Sequence, residues 1–149
     1  MDYREAILER LVEVIGGIPG IFPKLVGRSK ITPSETQLPA VIVLDGTEEA
    51  DDLDPRIRGP QAPRRVIMRP VIKIMLGDLP KSVGTELNGF RKAIINAIAN
   101  DAILTGYTIN GRGGRYMGIP ENGLNLGREL EGTVWLVFEF YYPVIPGSI

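Results

Sequence analysis

Six carboxylates stand within residues 45–54, namely Asp45, Glu48, Glu49, Asp51, Asp52 and Asp54. The chemistry such a cluster offers is binding of a hard divalent cation. An EF-hand loop needs acids in alternation, then a glycine and a closing glutamate, and that order is absent. A solvated acidic run is the plainer reading. Arg56, Arg58, Arg64 and Arg65 follow, so the segment is a local dipole, acidic first and basic second. Further on, Gly111-Arg112-Gly113-Gly114-Arg115 has the outline of a phosphate loop. A dinucleotide fingerprint closes a strand and opens a helix, whereas here Tyr116-Met117 continue as an aromatic strand. A bulged hairpin accounts for these glycines, and the functional remainder is Arg112 and Arg115 as cations on a surface facing DNA.

Nucleophilic chemistry finds little support. Ser34 and Ser82 have Lys30 and Lys81 nearby, and nothing in that spacing singles them out. The chain has no histidine and no cysteine, which removes the commonest general base, the commonest metal ligand, every Ser-His or Cys-His triad and all thiolate metal sites. Glycosidase-type pairs could be drawn from any of the 18 acids, and none stands out. We therefore expect no catalysis, metal or cofactor. With 17 Lys plus Arg against 18 Asp plus Glu, the charge balance also disfavours a dedicated phosphate-backbone binder.

The remaining concentration of unusual residues is aromatic. Residues 133–142 place Val134, Leu136, Phe138, Phe140 and Tyr142 on one parity and Thr133, Trp135, Val137, Glu139 and Tyr141 on the other. Both parities are largely apolar. Core packing is one reading; the other turns Trp135, Val137 and Tyr141 toward a neighbouring subunit, because a strand apolar on both faces must be covered on both.

These residues need elements to position them. The 149 residues suit one domain with a core of its own. The 18 glycines and 12 prolines stay below the roughly 25–30% that marks disorder. No secretory leader or apolar run of membrane-spanning length is expected. Residues 2–15 repeat Tyr3, Ile7, Leu8, Leu11, Val12 and Ile15 at helical spacing, with Asp2 as cap and a D-x-x-E capping pattern through Glu5. Residues 21–26 suit an edge strand because they contain Pro23. Residues 39–45 read as a strand buried on both faces. Residues 46–65 hold three prolines and few apolar side chains, which predicts a long mobile loop that orders on assembly. Residues 66–76 alternate as a strand with one wet face, and Pro70 marks a bulge or a position with no N–H pairing. Ser82 or Thr85 caps a helix through residue 100, with Leu87, Phe90, Ile94 and Ile98 in its stripe. Asn110-Gly111 turns a hairpin between residues 107–110 and 112–119. The sum is an α+β domain in which two helices pack on one face of a mainly antiparallel sheet.

Taken together, R-E-A-I-L-E-R-L, L-P-A-V-I-V-L-D-G-T-E-E, M-R-P-V-I-K-I, V-G-T-E-L-N-G-F-R-K-A-I, A-N-D-A-I-L-T and V-W-L-V-F-E-F-Y-Y-P-V resemble the tail terminator proteins of long-tailed, lambda-like bacteriophages, also described as minor tail or tail completion proteins. The resemblance implies a structural virion protein, made in the host cytoplasm, that forms a hexameric ring on the end of the tail tube. Its implied partners are itself, the major tail tube protein, the head-side connector and DNA that passes through without sequence-specific contact. No residue-level site transfers, since the family works through surfaces. The charged 46–65 segment, Glu48 to Arg65, is then an assembly surface, and Arg112 and Arg115 line the channel. Another head–tail joining or minor tail component is the alternative, with a small nucleic-acid-binding protein behind it.

Overall fold

Asp2 sits in extended backbone before an amphipathic run, and its side chain accepts a hydrogen bond from the Glu5 amide (3.3 Å), satisfying one of the free amides of a helix start. In the computed structural model of the chain, which describes residues 1–28, 33–52, 54, 59–76, 83–121, 124–125 and 132–146, helix α1 runs Tyr3–Gly16 and turns Ile7, Leu8, Leu11 and Ile15 inward. Helix α2, Val83–Ala99, buries Leu87, Ile94 and Ile98 at the expected spacing. A short helix α3, Ala102–Gly106, follows at once.

The strands are β1 (Leu25–Arg28), β2 (Ala40–Ala50), β3 (Arg64–Met75), β4 (Arg115–Gly118), β5 (Leu124–Asn125) and β6 (Thr133–Val144). They form one sheet in the order β1-β2-β3-β6-β4, with β5 also beside β6. Among the described residues β1 pairs with β2 in parallel and the other pairings are antiparallel. Helices α1, α2 and α3 all contribute to a single core against the same sheet face, where they meet Val41 and Val43, Met68, Ile72 and Ile74, and Leu136, Phe138 and Phe140. The α+β architecture with helices on one face is therefore present, with one helix more than expected. No helix among the described residues is long and apolar enough to cross a membrane.

Four expectations need correction. The ends of the 46–65 segment are strand and not loop: Gly46 to Ala50 complete β2, and Arg64 and Arg65 open β3, while residues 53 and 55–58 between them lie outside the described residues. Arg65 pairs with Asp51 and Arg64 with Asp54 just beyond the end of the ladder, and Glu48 and Glu49 stand opposite Met68 and Ile67, so the strands continue where composition alone reads as loop. The turn at Asn110-Gly111 exists, with both residues at positive φ (54° and 66°), yet it does not join two strands. Thr108 Oγ1 accepts from the Gly113 amide (2.8 Å) and donates to the Thr105 carbonyl (2.7 Å), so a side chain closes this loop while β4 pairs with β6. The first edge strand lies at Leu25–Arg28, after Pro23. The Glu5 carboxylate leaves the expected capping box for Arg28 (2.9 Å). Pro70 does mark an irregularity, because the β2–β3 register shifts between Leu44 and Thr47.

Candidate functional site

The sheet face without helices is where most of the residues singled out above come together. Alternation along the strands and the observed register set them in rows: Ile42, Lys73 and Trp135; then Leu44, Val71 and Val137; then Thr47 beside Arg69; then Glu49, Ile67 and Tyr141. Trp135, Val137 and Tyr141 therefore share this face. Trp135 is 37% exposed, and Lys73 Nζ lies 5.8 Å from its ring centroid. Part of the face is closed by a small apolar cluster of Leu38, Ala40 and Met75 with Leu25 against it. The opposite parity of β6, including Phe138, Phe140 and Tyr142, is buried under the helices.

Charged groups on this side and along the hairpin form a paired lattice. Arg69 donates to Glu139 (3.1 Å) and also to Glu49, and these carboxylates hold its guanidinium more firmly charged. Arg65 pairs with Asp51 (3.3 Å) and Arg64 with Asp54 (3.4 Å), while the Arg65 amide donates to Asp54 Oδ1 (2.8 Å). Asp51 and Asp54 are buried, so removing either arginine would take an ion pair from a buried carboxylate. Asp52 is exposed beside them. The Tyr142 hydroxyl donates to Glu48, and burial, reinforced by that carboxylate, pushes the phenol's pKa up. Arg56 and Arg58 lie outside the described residues, as do Lys30, Lys81 and Ser82. Arg28 bridges Glu5 of α1 and Asp45 of β2 (3.2 Å), and Arg4 donates to the Gly46 carbonyl (3.3 Å).

Arg112 and Arg115 occupy the other edge of the sheet. With Gly113, Glu139 and Tyr141 they line a notch of about 520 Å³. Arg115 stands opposite Glu139 in the β4–β6 register, and the Arg112 guanidinium lies 4.7 Å over the Tyr141 ring. Burial, with Glu139 beside it, raises the Tyr141 phenol above its ordinary value.

A second concavity is absent from the sequence reading. Ile21, Phe22, Leu76 and Phe90 line an apolar groove of about 440 Å³ between the 19–22 segment and α2. The one hint to it was an aromatic directly before Pro23, and Phe22 is 80% exposed. Among the described residues no group of three or more acids is placed to hold a metal ion. The arrangement offers binding surface: a half-exposed apolar face, an acidic strand edge and a basic notch. No family model matches this chain, and no curated protein matches it.

Proposed function

We propose that this chain is a structural protein of a phage tail, of the tail-terminator kind its motifs resemble. Copies join into a hexameric ring on the end of the completed tail tube, stop its growth and present the surface that receives the head-side connector. DNA passes through the ring without sequence-specific contact, and the protein resides in the virion at the head–tail junction. The observation that carries this reading is the helix-free sheet face, where Trp135, Val137 and Tyr141 stand half-exposed in one strand. A two-faced apolar strand of this kind is covered by protein in its working state. The end of the tube provides such cover, while unlike surfaces of neighbouring copies meet around the ring in one repeated heterologous contact.

The test is to polymerise tube protein with and without the purified chain and to measure tube lengths by electron microscopy. Arrested tubes bearing a terminal ring are expected. Tubes that grow unchecked overturn the proposal, and a chain that binds only the portal side is instead a head–tail joining component of another kind.

A further inference from the structure

The described arginines differ in what their guanidinium groups donate to. Arg10, Arg28, Arg64, Arg65 and Arg69 donate to carboxylates. Arg4 donates to the Asp45 and Gly46 carbonyls and Arg91 to the Tyr116 hydroxyl. The side chains of Arg112 and Arg115 donate to no protein acceptor among the described residues, and both are exposed on the lining of one notch.

That notch is held in place without using those donors. Thr108 closes the loop through the Gly113 amide, and the Arg112 amide donates to the Ile109 carbonyl (3.2 Å), so these backbone amides are committed and the side chains alone face a ligand. Arg112 lies 4.7 Å over the Tyr141 ring. A ring face steadies a cation and leaves its N–H groups for other acceptors.

The local charge balance departs from that of the chain. Glu139, buried beside the notch, stands opposite Arg115 in the β4–β6 register, yet its carboxylate accepts from Arg69, which also holds Glu49. Arg69, Arg112 and Arg115 therefore face two carboxylates, and the notch carries surplus positive charge although the whole chain is at −1. A planar carboxylate is matched by one guanidinium fork, whereas the oxygens of a tetrahedral phosphate accept from two.

Nothing in the notch reads a base. The Tyr141 face is covered by Arg112, and Tyr116 is turned to the other side of the sheet, 5.4 Å from the Phe138 ring. With no open aromatic platform, nucleic acid is held by its backbone, whatever its sequence.

We infer that the Arg112–Arg115 notch seats a backbone phosphate of duplex DNA. The inference deepens the reading proposed above, which supplies DNA as the source of the phosphate. Trp135 lies four to six residues along β6 from Glu139 and Tyr141, roughly 13–20 Å at strand rise, so the phosphate seat and the proposed tube contact are separate.

The test is fluorescence anisotropy of two labelled duplexes of unrelated sequence, titrated with the full-length protein at a series of salt concentrations. Wild type should bind both alike and more weakly as salt rises. Arg112→Gln with Arg115→Gln, checked for folding by circular dichroism, should lower the slope of log affinity against log salt by roughly two for each copy in contact. Lys24→Gln with Lys92→Gln removes the same charge at exposed sites outside the notch and should keep the wild-type slope. If the double notch variant fails to fold, Arg115→Gln alone is read in its place and should lower the slope by roughly one.

A wild type that binds no duplex at low salt, an unchanged slope in the notch variant, or an equal fall in the lysine variant overturns the inference. So does a wild type that favours single strands with a base preference, because stacking would then hold the nucleic acid. A notch variant that keeps its slope and loses its oligomer also overturns it and makes the notch a protein contact. Tube capping is scored separately. Capping by a wild type that binds no duplex overturns this seat and leaves the tail-terminator reading standing; duplex binding through the notch without capping does the reverse.

Discussion

Gly46 is held at φ +72°, and a Cβ there would stand 1.9 Å from the Arg69 carbonyl oxygen and 3.0 Å from Pro70 Cα. Proline brings no amide hydrogen to the ladder, and glycine alone tolerates both the left-handed backbone and the close approach. The two residues therefore build the β2–β3 irregularity from opposite strands. Gly46→Ala should cost at least about 2 kcal/mol, from backbone strain and from a clash with main chain that cannot move aside. Gly114 serves a different need: a Cβ there would come within 2.6 Å of Phe140 Cζ and 2.7 Å of Ile98 Cγ2, so β4 can lie against α2 and β6 only without a side chain. Gly114→Ala should cost about 1–3 kcal/mol, and Phe140→Leu in the same chain should recover part of it, a coupling that denaturant titration of both single and double variants reads directly. Equal losses for Gly114→Ala in the presence and absence of Phe140 would dismiss this account.

At the scale of elements, α3 is fastened by one side chain. Asp101 accepts from the Leu104 amide (2.9 Å) as the helix cap and from Nε and Nη2 of Arg10 in α1 (3.0 and 2.7 Å), and the guanidinium holds its carboxyl below the ordinary 3.8. Asp101→Ala removes cap and pair together and should cost about 1–3 kcal/mol, whereas Asp101→Asn keeps a capping oxygen and loses only the charge. A carboxylate with a lowered folded-state pKa contributes stability that is complete above 3.8 and fades as pH falls through the lowered value. Wild type should thus exceed Asp101→Asn in urea melts at neutral pH, with the difference closing below about pH 4; a difference constant with pH would contradict it. The helices and central strands were legible in the sequence because Leu11, Ile94 and Phe138 recur at the period of their element. Helix α3 was not, since five residues show no period, although its cap was in plain sight at Asp101. The arms of the hairpin were missed for a further reason: Glu49, Asp51 and Arg65 look like solvated loop until each is set opposite its cation or anion across a strand.

For the whole molecule, parity alone located Trp135, Val137 and Tyr141 on one face, whereas the pairing of Arg69 with both Glu49 and Glu139 depends on a register that no single strand encodes. If neighbouring copies join through one repeated heterologous contact, their helix-free faces turn the same way about the ring axis. On the proposed arrangement those faces meet the end of the tube. Ring contact and face then have separable duties, and a substitution on the face should spare the ring while disabling its docking. Trp135 is the residue to change, being 37% exposed and in cation–π contact with its neighbour Lys73. Trp135→Glu gives up a cation–π contact of about 0.5–1 kcal/mol and sets a carboxylate beside Lys73, so the melting of the isolated chain should shift little. Native mass spectrometry should show the wild-type oligomer, and tube-length measurements should show loss of capping, because a charge buried against the tube has no partner. Ile103→Glu, at a 47% exposed site on α3 away from this face, should leave both readouts unchanged. Capping that persists in Trp135→Glu would move the tube contact elsewhere on the ring, and a lost oligomer would place Trp135 in the contact between copies.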